Sequence, residues 1–239
     1  MTDKPTVEQI RADLDAGEGP HAVRLARKLA EGCDVDTMLE LSAAFSDHAV
    51  FAPLVDVWRR RIAKQPLDER EHAAFANALN GLASEHLAER RETEAMELFT
   101  EAIGIAPRLD YIRRNIASML VHKGDYDAAL IELDTLLTKS PNDPQANLLL
   151  GVARYQSGDP ALALAPLTLA FRAGFPGAGM WLLKAQCILG KLDEAGRTLE
   201  RLAEDHPERA GTLLELELNE PGSPVQHLRD HPVVRRLTQ

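Results

Sequence analysis

Small and large apolar residues return along this chain in fixed columns. Ala95, Ala129 and Ala163 stand 34 residues apart, and Ala195 follows 32 residues later. Four positions on from each lie Phe99, Leu133, Leu167 and Leu199, and seven on lie Ala102, Leu136, Ala170 and Leu202. Steps of four and three put these residues on one face of a helix, with polar positions between them facing solvent. A period of ~20–50 residues marks a stack of like units that share one continuous core. The pattern therefore predicts an all-α chain of repeated helix pairs.

Punctuation falls in step with the columns. Gly124, Gly158 and Gly190 sit where the first helix of each unit must end, a place that favours φ > 0. Pro107, Pro141 and Pro207 stop the second helix, because proline carries no N–H to continue it. Ala83, Ala117 and Gly151 hold the small-residue position that lets paired helices approach closely. The best copy runs from Asp110 to Asp143, with Ile116-Ala117, Gly124-Asp125-Tyr126, Ala129, Leu133, Leu136 and Pro141. The next shows Leu150-Gly151, Tyr155, Gly158-Asp159, Ala163 and Leu167. These copies resemble the tetratricopeptide repeat of bacterial-type proteins, a helix–turn–helix unit. The resemblance implies an all-α, right-handed α-solenoid with a C-terminal capping helix.

The register weakens towards the N-terminus. Residues 1–68 read as degenerate helical repeats, with Leu41-Ser42, Phe45, Leu54 and Trp58 in one copy and Ala22, Ala26 and Leu29 in another. Residues 69–209 hold four copies. The first carries seven extra residues between Pro66 and Pro107, close to two helical turns, which predicts a lengthened helix over 68–89. Residues 210–239 read as a capping helix bearing Leu213, Leu214, Leu216 and Leu218, then a break at Pro221-Gly222-Ser223-Pro224 and a basic amphipathic tail. That tail is expected to pack back on the last repeat; a docking peptide for another protein is the alternative.

Charge narrows the partners. With 27 Lys and Arg against 37 Asp and Glu the net charge is −10, which argues against nucleic acid and against an anionic membrane surface. Arg59-Arg60-Arg61 beside Trp58 is expected to be a solvated helix face over a core tryptophan. Glu69/Glu71 and Glu92/Glu94 are likewise expected to be exposed. Cys33 and Cys187, far apart, read as buried inert thiols of a reducing, cytoplasmic compartment.

Chemistry is sparse. No Walker A loop, G-x-S-x-G or H-E-x-x-H pattern occurs. Gly174, Gly177 and Gly179 are assigned to a turn between repeats, and His227 and His231, four apart, are cut off by Pro232 before they can form a metal site. No catalytic residue, cofactor or metal is assigned, and the expected class is not an enzyme.

Resemblance to the family implies that first helices line a concave face on which a peptide or helix of another protein lies. In this register the face comprises Asn77, Asn80 and Ser84, then Tyr111, Arg114, Asn115, Ser118 and His122, then Gln145, Leu148, Val152 and Tyr155. Amides can bond an extended backbone, tyrosines offer rigid contact area and Arg114 suits a carboxylate. The reading is an interaction adaptor, scaffold or chaperone. An accessory subunit that docks an enzyme of peptide or cell-envelope modification is the alternative, and an enzyme with a site in the N-terminal third is a weaker one. Self-association through the N-terminal unit or the tail stays open.

Overall fold

The structure, a computed structural model, describes residues 4–237, apart from the side chain of Arg209. The described residues fold as helices without a strand. In order they are α1 (Val7–Asp15), α2 (Gly19–Ala30), α3 (Val35–Asp47), α4 (Phe51–Ile62), α5 (Glu69–Ala88), α6 (Glu92–Ile105) and α7 (Asp110–Lys123). Then follow α8 (Tyr126–Lys139), α9 (Pro144–Gln156), α10 (Pro160–Arg172), α11 (Pro176–Ile188), α12 (Leu192–Asp205) and α13 (Pro207–Asn219). A 3-10 turn (Pro224–Leu228) and the short α14 (Pro232–Leu237) end the described chain. No helix among the described residues is long and apolar enough to cross a membrane.

Two compact units result, Met1–Ile112 and Arg113–Gln239. In the first, α1 packs on α2 and α3, α3 on α4 and α5, and α5 on α6. In the second, α9 packs on α8, α10 and α11, and α12 joins α11 to α13. Within each unit, helices α1, α3 and α9 thus meet both a hairpin partner and the first helix of the next pair, the packing that the 34-residue columns foretell. The columns are the core: Ala95, Ala129, Ala163 and Ala195 are wholly buried, as are Phe99, Leu133, Leu167 and Leu199.

One turn motif closes every hairpin. A residue at positive φ follows the first helix, and the next amide reaches back five residues to a carbonyl of its last turn. Gly124, Gly158 and Gly190 take this place with φ of 83°, 93° and 69°. The returning bonds are Asp125 N–H to the Leu120 carbonyl, Asp159 to Arg154 and Lys191 to Gln186, each at 2.9 Å. In the N-terminal unit Ala49 (φ 52°) and Arg90 (φ 60°) hold the same place. Side chains there suffer a clash that glycine avoids, so a turn written in alanine or arginine carries no sequence signature.

Several expectations are corrected. Gly174 forms the turn before α11, but Gly177 and Gly179 lie inside that helix, where Gly179 leaves room for the Phe171 ring. Arg61 and Glu71 are not solvated: they are 4% and 2% exposed and ion-paired at 2.6 Å. Trp58 is core as expected, stacked on Phe75 at 6.1 Å and donating from Nε1 to Ser42 Oγ. α5 has the predicted extra length, and its N-terminus is fixed by a capping box between Asp68 and Glu71. Cys33 is only half-buried.

The C-terminal segment packs on its own unit. α13 buries Leu214 and Leu218, while Leu216, expected in the cap, is 64% exposed. Val225, Leu228, Val233 and Val234 join the core of α11 and α12. His227 and His231 share no helix, because Pro232 opens α14 rather than closing one. His231 instead packs against Gly196, where an added Cβ would stand 2.3 Å from the imidazole. Gly196→Ala is therefore expected to dislodge the tail. Limited trypsinolysis, read by mass spectrometry, would then show faster cleavage at Arg229, Arg235 and Arg236 than in the wild type, with the α9–α12 peptides still protected.

Candidate functional site

The first unit brings two of the expected face residues together. Tyr111 donates its hydroxyl to Asn77 Oδ1. Ser84 is exposed, but its hydroxyl is spent on the Asn80 carbonyl at 2.9 Å, one turn back in α5. The Tyr111 phenol is pushed up by burial.

In the second unit Arg114 is a brace. Its Nη2 bonds Asp143 Oδ2 at 2.6 Å and its Nη1 reaches Gln145 Oε1 at 3.3 Å. Asp143 also caps α9 through the Ala146 amide. Arg114 thus ties α7 to the start of α9 and its charge is already neutralised, which makes it a poor clamp for an incoming carboxylate. Asn115 is half-buried on the same helix, and Ser118 and His122 are exposed.

Further along, Leu148 and Tyr155 from α9 pack beside Trp181 from α11, all partly buried against the core. Val152 is half-buried between them in sequence. The Tyr155 and Trp181 rings meet edge to face at 5.2 Å between centroids and 62° between planes. Lys184 lies with Nζ 5.2 Å from the Trp181 ring centre and pairs at 2.5 Å with Glu217 of α13, which also accepts from Ser223 at 2.7 Å. Burial raises the Tyr155 phenol, and the negative Glu217 raises it further. Three successive first helices therefore present a fixed aromatic pair, an apolar margin and an internally neutralised ion pair. Trp181 and Lys184 were not among the expected face residues. The register that gives Leu148 and Val152 in one copy gives Met180 and Lys184 32 residues on, with Trp181 beside Met180, so carrying it one unit further finds them.

The N-terminal third holds a cleft of about 590 Å³ bordered by Lys4, Leu29, Cys33, Asp34 and Thr37. The Cys33 thiol is pushed up by burial, against the opposing pull of Arg61. Burial likewise raises Cys187, to about 11. Neither is the low-pKa thiolate that a nucleophile requires.

Helix pairs of this length, closed by one repeated turn and stacked first helix on first helix, define a helix–turn–helix repeat protein. Residues 86–153 match the family model described as tetratricopeptide repeat. Over that stretch the chain carries tetratricopeptide-like repeats. Solved structures agree in fold. The C-terminal part of a tetratricopeptide repeat-containing protein from Cytophaga hutchinsonii is 13% identical with a TM-score of 0.63, over 97% of this chain and 92% of that one. PilF from Pseudomonas aeruginosa is 15% identical with a TM-score of 0.56, over 94% and 95%. YrrB, a tetratricopeptide-repeat protein described as having an unusual peptide-binding site, is 12% identical with a TM-score of 0.58, over 82% and 92%. No curated protein sequence matches the chain.

Proposed function

We propose that the protein is a non-catalytic interaction scaffold that holds an extended segment or helix of another protein on the first-helix face of its second unit. The observation that carries this reading is the Tyr155–Trp181 pair, half-buried and already locked edge to face. Aromatic side chains fixed in advance lose little entropy on binding and serve as anchors worth ~2 kcal/mol or more each. Leu148 and Val152 continue the apolar surface, while Ser118, His122 and Gln145 supply hydrogen-bonding margins. Lys184 and Glu217 neutralise each other, so the face selects by shape and apolar contact more than by net charge. The peptide-binding site ascribed to YrrB is consistent with such a role for the fold.

The test is a pull-down from native lysate with wild type, Tyr155→Ala/Trp181→Ala and the outer-helix control Leu162→Ala, each first shown to retain its helical circular dichroism. A partner held by wild type and control but lost from the double variant is expected. Once it is purified, Trp181→Ala alone should weaken binding by about thirtyfold. A partner held equally by all three proteins moves the site off this face.

A further inference from the structure

We propose that Asp13, Glu18 and His21 form a divalent-cation site on the turn between α1 and α2, suited to zinc or a similar borderline ion. One ligand atom from each residue lies within 4.8 Å of the others. The backbone sets them there. Asp13 is in the last turn of α1, Glu18 precedes α2 and His21 lies in its first turn. Between them the chain reverses through Gly17 (φ 75°), and the Glu18 amide bonds the Asp13 carbonyl at 2.7 Å. The His21 amide then bonds the Glu18 carbonyl at 2.9 Å.

Two observations go beyond this scaffold. Asp13 Oδ2 lies 2.8 Å from His21 Nδ1, yet it is shut off from solvent and accepts no hydrogen bond. A buried carboxylate oxygen that accepts no hydrogen bond is costly, and a cation bound beside the His21 imidazole would satisfy it. Ligand atoms around a tetrahedral ion with bonds of ~2.0–2.2 Å stand about 3.3–3.6 Å apart, so Asp13 and His21 at 2.8 Å need open only slightly and Glu18, within 4.8 Å of both, need only close in. Glu18, at the position that usually caps a helix, makes no side-chain cap bond, so its carboxylate is not committed to α2.

One imidazole and two carboxylates favour zinc-like ions over calcium or magnesium, which prefer all-oxygen shells. Three protein ligands leave a position for water, so the affinity should be on the order of micromolar rather than that of a closed structural site. Bound metal would clamp α1 to α2 and stabilise the first unit, because the unfolded chain does not hold the three donors together.

The experiment is calorimetric titration of the full chain, stripped with EDTA, with zinc chloride at pH 7.5, alongside thermal melts with and without zinc. Wild type and His48→Ala, an imidazole outside the cluster, are expected to bind one ion with similar affinity and to gain thermal stability. Asp13→Asn, Glu18→Gln and His21→Ala should each weaken that binding by about tenfold or more and lose the zinc-dependent gain. Glu18 is exposed, so its variant folds even where the other two are impaired. No binding by wild type, or unchanged binding by Glu18→Gln and a folded His21→Ala, overturns the proposal. The first result leaves Asp13 and His21 as a simple ion pair, and the second places any zinc elsewhere on the chain.

Discussion

Glu71→Ala is expected to destabilise the first unit by about 3–5 kcal/mol, the range for breaking a buried ion pair from one side. Glu71 is held from three directions: Oε1 accepts from Arg61 Nε at 2.6 Å, Oε2 from the Asp68 amide at 3.1 Å, and its own amide donates to Asp68 Oδ1 at 2.8 Å. Arg61 in turn donates to the Cys33 carbonyl at 3.2 Å. Removing the carboxylate therefore strands a guanidinium that is 3% exposed and opens the cap of α5. Replacing both partners with leucine should cost far less than Glu71→Ala, because no charge is then left desolvated. The chain has two tryptophans, and Trp58 is wholly buried in this unit. Urea unfolding followed by fluorescence in a Trp181→Phe background reads the first unit alone. A midpoint for Glu71→Ala close to that of its parent would show that the pair is structurally idle.

Gly151→Val should destabilise the second unit by about 2–3 kcal/mol through overpacking. A Cβ at this position would stand 2.3 Å from Leu167 Cγ and 2.5 Å from its Cδ2, and Leu167 is wholly buried. The two helices must part or the leucine must leave its rotamer. Leu167→Ala alone leaves a cavity and costs about 2–5 kcal/mol, yet it should relieve much of the damage in Gly151→Val. Gly211→Ala is the control, since nothing lies within 4 Å of the position of its Cβ. There the greater helix propensity of alanine should raise stability by up to about 1 kcal/mol. Trp181 fluorescence in a Trp58→Phe background reports on this unit. Additive costs for Gly151→Val and Leu167→Ala would refute the contact.

The repeat was legible because its columns obey local rules. A small residue where helices touch, glycine where φ turns positive and proline where a helix restarts are each dictated by backbone sterics. The same reasoning explains where legibility failed. Ala49 and Arg90 adopt the turn conformation without glycine, so the N-terminal hairpins repeat the geometry without repeating the letters. Arg61 and Glu71 look like ordinary surface charges until a helix ten residues away in sequence brings them together out of water. Leu216 follows the leucines of the cap, yet its position on α13 turns it outward. On the expected face, sequence placed Arg114 and Asp143 in separate helices and could not show that they satisfy one another.

What the sequence determined by itself is the class: all-helical units of about 34 residues, their hairpin order, the lengthened α5 and the buried columns. Periodicity encodes these directly, since which residues share a helix face follows from 3.6 residues per turn alone. Tertiary structure decided the rest. It chose which charges are buried and paired, joined Tyr155, Trp181, Lys184 and Glu217 from three helices into one surface, and set Asp13 against His21 across a turn. Those outcomes depend on distances between residues far apart in the repeat or on opposite sides of a reversal. No local spacing rule fixes such distances; they exist only once the helices have packed.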